Sequence, residues 1–219
     1  MKLNDAISIV CNFTNCPIQG DNNIMKLLPE IQTRRSPIIF QNRPVEQEKI
    51  EVVLEAARWA PSSYNHQPWR YIVVNENEAL NKARKGLVAG NFWAKQAPIL
   101  IIALSKPEFD DTVDGKEYYL YDTGQSVMSL ALEAEHLGLS THQMLGFTEA
   151  TIKKEFAIPD PWRVIVLIAL GYEADMARDK RGIVQKLGMQ VFEKIRERMV
   201  KPRERKSLQE IASFNTFAF

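Results

Sequence analysis

Three short stretches of the chain are apolar without interruption: RYIVV at 70–74, APILIIAL at 97–104 and WRVIVLIALGY at 162–172. Runs of β-branched and aliphatic residues of this length, lacking polar alternation, predict strands covered on both faces. Between and around them the apolar positions fall at helical spacing. PVEQEKIEVVLEAARWA (44–60) places Pro44 near its start and acids in its first turn, with Ile50, Val53, Leu54 and Ala57 on one stripe, and predicts an amphipathic helix. YYLYDTGQSVMSLALEAEHLGLS (118–140) is apolar around most of its circumference and predicts a central buried helix that carries His136.

Three further segments are less regular. NNIMKLLPEIQTRRSP (22–37) predicts a short helix that stops before Pro37, because the residue ahead of a proline is pushed out of the α region. GLSTHQMLGF (138–147) predicts a short strand running to Gly146, and IVQKLGMQVFEKIRERMV (183–200) a late helix with a basic end. The last residues, KPRERKSLQEIASFNTFAF, predict an irregular tail. Residues 1–22 carry no sustained period and read as an extension ahead of a single domain, 23–219. No period of repeat length is present, and no glycine-rich dinucleotide fingerprint follows any strand. Helices interleaved with short strands then predict an α+β layer structure.

Composition narrows the function. With 28 Lys+Arg against 27 Asp+Glu the net charge is +1, too small a field to hold a polyanion, so nucleic acid is not the expected partner. Nothing spans a bilayer and the start reads poorly as a signal peptide, so the expectation is a soluble, cytoplasmic protein that does not engage a membrane. Cys11 and Cys16 are the two cysteines, and all three histidines lie far from them in sequence. Two reduced thiols and no metal are expected.

Four clusters carry candidate chemistry. The turn RWAPSSYNHQPWRYIVV (58–74) joins a helix end to a strand and packs Pro61, Ser62, Ser63 and Asn65 together. Such residues often do no more than satisfy backbone groups. In TRRS (33–36), Arg34 and Arg35 adjoin Ser36: a solvated charge pair, or a planar fork for a phosphate. In PRERKS (202–207), Arg203 and Arg205 project to one side if the segment is extended. Gly146, at the end of the predicted strand, permits a flat ring to approach the backbone or simply makes a turn.

The order and spacing of these clusters, RRSPIIF, AARWAPSSYNHQPWRYIVV, DTGQSVMSLALEAEHLGLSTHQMLGF, VIVLIALGY and a final PRER, resemble the nitroreductase family of flavoproteins over about residues 30–210. The resemblance implies a mostly antiparallel sheet flanked by helices, in a homodimer with intertwined termini. It implies an FMN cofactor, with Arg34, Arg35 and Ser36 holding its phosphate, ribityl chain and ring edge, and Arg203 and Arg205 closing on the phosphate. Pro61, Ser62, Ser63 and Asn65 would line the flavin from the other subunit, and the backbone amides of Leu145 and Gly146 would face its reactive N5 edge. The implied activity is hydride transfer from NADH or NADPH to a nitroaromatic, quinone or similar flat acceptor. Reductive dehalogenation, ring cleavage or a flavin-binding protein without turnover stay open as alternatives. The chemistry would reside in the flavin, so no side chain, and none of His66, His136 and His142, is assigned a catalytic role. Two positions depart from the family pattern. Ile38 stands where many relatives have a basic residue near the pyrimidine edge, which leaves Lys95 as a candidate substitute, and Leu145 stands where some nitroreductases have glutamate.

Overall fold

The structure is a computed structural model that describes residues 27–175, 189–190, 193–194, 197 and 203–217. The expected extension over residues 1–22, Cys11 and Cys16, and most of the expected late helix lie outside the described residues.

Four strands form one antiparallel sheet: β1 (Arg70–Val74), β2 (Ile99–Ser105), β5 (Ser140–Met144) and β6 (Arg163–Gly171), in the order β1-β2-β6-β5. Among the described residues the helices of defined extent are α1 (Pro29–Thr33), α2 (Gln47–Arg58), α3 (Asn77–Lys85), α4 (Tyr118–His136), α5 (Glu149–Glu155) and a single turn, α6 (Leu208–Ile211), within the tail expected to be irregular. A separate small hairpin pairs β3 (Thr112–Val113) with β4 (Lys116–Glu117) just ahead of α4. The α+β class and the antiparallel sheet expected from the sequence are both found.

Every residue of β2 is buried, and its side chains alternate between two cores. Leu100, Ile102 and Leu104 join Val74, Leu80, Ala83 and Ile152 on the side of α3 and α5, whereas Ile99, Ile101 and Ala103 join Ile50, Val53, Val127 and Leu130 on the side of α2 and α4. The period of two along a strand thus feeds both layers. On β6 the period is broken once. Ala103 pairs with Val166 and Leu104 with Val164, so Ile165 is an extra residue, and the bulge lets Val164 and Leu167 face the same core.

Two expectations from the apolar pattern need correction. β1 is an edge strand and largely half-buried, so RYIVV is not covered on both faces. In α4, Tyr119, Asp122, Ser126, Val127, Leu130 and Ala134 are buried along one side, but Leu120, Tyr121 and Met128 are exposed, and His136 is exposed at the last turn, where it meets Glu30 at 2.7 Å. The helix is therefore covered on one side by its own chain, and a wide apolar stripe is left on the other.

Candidate functional site

The segment after α1 runs Arg34, Arg35, Ser36, Pro37. Pro29 stands in the first turn of α1, where a missing N–H is harmless, and the helix stops at Thr33. Downstream, Ile39 accepts from the amide of Ala174 and Gln41 donates to Tyr172, so this segment is stitched to the chain leaving β6. His142 on β5 contacts the carbonyl oxygen of Pro37 through Nδ1 at 2.9 Å and lies against Trp93, ring centroids 4.3 Å apart. These contacts fix where the arginines stand.

Arg34 donates to Ser36 Oγ at 3.4 Å. Arg203, from the far end of the chain, donates to the backbone carbonyls of Arg34 and Gln32. A guanidinium carries five N–H donors, so others stay available. Arg203, Arg205 and Lys206 line one cavity of about 630 Å³ together with Gln32 and the apolar Leu27 and Ile31. Arg203 thus ties the second basic motif to the backbone of the first, although no side chain of residues 33–36 lines this cavity. Arg35 turns elsewhere: burial pushes the Glu173 carboxyl up, and the nearby Arg35 charge works against that rise. Ile38 packs against the core of Phe40 and Trp93, and Lys95 is exposed on the 3-10 segment Ala89–Gln96.

At the end of β5, no backbone hydrogen bond is donated by Leu145 or Gly146 among the described residues, while their carbonyls accept from Phe147 and Val88. Leu145 itself is 83% exposed. The missing side chain of Gly146 has a local cause that the sequence did not reveal. A Cβ there would lie 2.7 Å from Asn91 Nδ2 and 2.8 Å from Val88 Cγ2, so any larger residue must displace these two side chains, including the Asn91 amide that donates to the Gly146 carbonyl.

The turn after α2 is shaped by hydrogen bonds from within. Ser62 Oγ accepts from the amide of Gln67 at 2.9 Å, Asn65 Oδ1 accepts from Gln67 Nε2 at 3.1 Å, and the amide of Ser63 donates to Asp122 Oδ2 at 2.7 Å. Tyr64, Asn65 and Gln67 all have left-handed backbone, with φ of 43°, 60° and 49°. Asparagine tolerates that region, whereas tyrosine and glutamine do not adopt it readily. Tyr64 is 89% exposed. Asp122 on α4 is buried, which pushes its carboxyl up; the Ser63 amide pulls it down and the neighbouring Asp110 carboxyl adds to the rise. Sequence reasoning missed Asp110, Asp111 and Asp122 as partners of this turn, since nothing in local spacing ties 110–122 to 62–67. Among the described residues, no hydrogen bond joins the Ser62–Gln67 turn to Arg34 or Ser36.

The family model of the Nitroreductase family matches residues 31–89 and 82–172, which takes in α2, the turn and the whole sheet. The chain belongs to the nitroreductase family. A Thermus thermophilus protein named NADH dehydrogenase is 27% identical over 173 residues, 65% of this chain and 84% of the relative. A nitroreductase family protein from Clostridium difficile 630 has a solved structure that is 29% identical with a TM-score of 0.68, covering 88% of this chain and 100% of that one. The solved structure of an oxidoreductase containing FMN, 28% identical, superposes with a TM-score of 0.73 over 90% of this chain and 96% of its own. The nitroreductase family match takes in Arg34, Ser36 and the Ser62–Asn65 turn, whereas Arg203 and Arg205 lie beyond its last matched residue.

Proposed function

We propose that this protein is an FMN-dependent oxidoreductase that takes hydride from NADH or NADPH and delivers it to nitroaromatics, quinones or similar flat acceptors, one substrate after the other at the same face. The observation that carries this reading is the bond from Arg203 to the Arg34 carbonyl, which holds the second basic motif, itself lining a cavity with Gln32, against the backbone of the first. A phosphate monoester holds nearly two negative charges, and Arg34, Arg203 and Arg205 supply charge-assisted donors for it without a glycine-rich loop. FMN, when bound, supplies reversible hydride acceptance at N5.

The protein's own residues then bind and orient. Ser36 adds a hydroxyl beside the phosphate arginines, the amides of Leu145 and Gly146, unbonded among the described residues, offer two donors, and the Ser62–Asn65 turn offers a rigid polar edge. Because the turn and Arg34 share no hydrogen bond among the described residues, we assign them to opposite chains of a homodimer, with the exposed apolar stripe of α4 as part of the contact. Membership of the nitroreductase family and the FMN named for the solved relative support the cofactor.

The test is spectroscopic and kinetic. The purified protein, supplied with FMN, is expected to retain flavin absorbance through gel filtration and to oxidise NADH or NADPH when a quinone or nitroaromatic is present. Failure to retain the flavin, or no reduction of it by either nicotinamide, overturns the proposal.

A further inference from the structure

Beneath the polar turn, two buried carboxyl groups meet. The side chain of Asp122, on α4, is hydrogen-bonded to that of Asp110, in the segment that enters the β3–β4 hairpin, and both side chains are buried. Two ionised carboxylates offer only acceptors, so a bond between them requires a proton on one. The other contacts of Asp110 favour its ionised form. Its Oδ1 accepts from the amide of Asp111 at 2.8 Å and stands 3.2 Å from His66 Nδ1, whereas its Oδ2 is buried with no amide, amine or hydroxyl partner among the described residues. A carboxylate oxygen sealed from water is unfavourable without a donor, and a protonated neighbour supplies one.

No fixed positive charge relieves the pair: among the described residues neither Asp110 nor Asp122 has a lysine or arginine in an ion pair. The turn contributes His66. The segment ahead of β3 contributes Asp111, whose Oδ2 lies 4.0 Å from the same imidazole and 3.2 Å from Ser63 Oγ, and α4 itself contributes the neutral Gln125, which donates to Asp122 Oδ1 at 3.0 Å. Tyr119, one turn earlier, is raised by burial and by Glu117 and Glu149, with Arg163 working against them. Of the elements packed on α4, β1 brings Tyr71 to Ser126, where burial pushes it up to about 12. From α2, Ala57 offers a carbonyl to Ser126, while Glu55 and Arg58 pair with one another. The β2 and β6 residues on this side are apolar, His142 of β5 turns to Pro37, and the Glu30–His136 pair of α1 lies at the far end of the helix.

We propose that Asp122 keeps its proton and donates it to Asp110, forming a latch that fastens the segment ahead of the β3–β4 hairpin to α4, and that loss of this proton opens the latch. Burial and the Asp110 carboxyl both raise the Asp122 carboxyl. The sign follows: the latch is closed in the ordinary carboxylate range, near about pH 4, and its contribution is lost as pH rises through the raised value. On opening, Asp110, Asp111 and Asp122 repel one another, but the amide of Ser63 gains a charged acceptor in Asp122 and holds more firmly. The turn therefore stays on α4, and the hairpin segment is what loosens. Because Ser63 and His66 also reach Asp111 and Asp110, the latch sets how firmly that segment borders the turn. It does not depend on the flavin reading.

The experiment uses the full chain carrying isotope-labelled aspartate, with the side-chain carboxyl resonances and amide hydrogen exchange followed by nuclear magnetic resonance as pH is raised from about 4. One aspartate carboxyl should titrate at least about one pH unit above the ordinary range. Its resonance should be absent in Asp122→Asn and its titration should move down in Asp110→Asn. Over the same titration the amide of Tyr118, which donates to the Asp111 carbonyl at 3.1 Å, should lose about tenfold in protection, while that of Ser63 should not. In Asp122→Asn the side-chain amide donates to Asp110 at every pH, so the Tyr118 protection should stay constant. Circular dichroism reports that both isosteric variants are folded. Aspartate carboxyls that all titrate in the ordinary range, a raised titration that folded Asp110→Asn leaves unmoved, or wild-type Tyr118 protection that does not follow it, overturns the proposal.

Discussion

The amide of Ser63 donates to Oδ2 of Asp122 at 2.7 Å, linking the turn after α2 to the first turns of α4, 59 residues later. This bond anchors the polar turn to the buried side of α4. Removing the acceptor in Asp122→Ala leaves a partly buried N–H unpaired and should cost about 1–3 kcal/mol of stability, with weaker FMN retention alongside. Asp122→Asn keeps an oxygen in place and should retain most of both. Chemical denaturation and FMN titration of the two variants check this.

The phosphate grip gives the second prediction. Arg205→Glu puts a carboxylate beside Arg203 in the basic cavity, replacing attraction with repulsion, and should remove about 3 kcal/mol or more of FMN affinity. Fluorescence titration of apoprotein with FMN measures it, and unchanged affinity would reduce PRER to a solvated tail.

Kinetics supply the third. If nicotinamide and acceptor use one face in turn, initial rates at several fixed acceptor concentrations should give parallel double-reciprocal lines, the ping-pong pattern. Intersecting lines would require a ternary complex and a larger site.

How far these features were readable in the sequence varies with their range. β1 was marked by RYIVV residue for residue, and α2 by the stripe of Ile50, Val53 and Ala57, because both depend on local periodicity. The edge position of β1 and the one-sided cover of α4 depend on which elements lie alongside, and periodicity does not encode that. Helices α3 and α5 and the β3–β4 hairpin went unpredicted: they are short and polar, and α5 buries only Ile152. At the site, the motif residues were named from resemblance, but the acids opposite the turn could not be, since the contact between Ser63 and Asp111 is made only by the fold.

A fourth prediction tests the two-chain site. Arg34→Glu and Asn65→Lys should each abolish flavin binding in their own homodimers. In a mixed dimer one site carries both lesions and the other neither, so co-expression should restore activity to roughly half of wild type per heterodimer. Tagged heterodimers that stay colourless would exclude the shared site.

The fifth concerns alkaline pH. Burial pushes the Tyr71 hydroxyl up to about 12, with the Ser126 hydroxyl 2.7 Å away only partly offsetting it. A raised folded value means that the neutral phenol stabilises the fold in full below about pH 10, and that this contribution is lost as pH rises towards 12. The loss should reach about 3 kcal/mol and be absent in Tyr71→Phe. Denaturation at several alkaline pH values, with tyrosinate absorbance followed in parallel, measures both.

The left-handed backbone at Tyr64, Asn65 and Gln67 is braced from within the chain by Ser62, Asp122 and the turn's own amides. Such conformations are unfavourable by roughly 1–3 kcal/mol at each non-glycine residue, and they persist only because the surroundings enforce them. A receptor moulded in advance loses little ordering entropy on capture. If FMN is the group bound there, it would meet a fixed polar edge rather than one that must first be ordered.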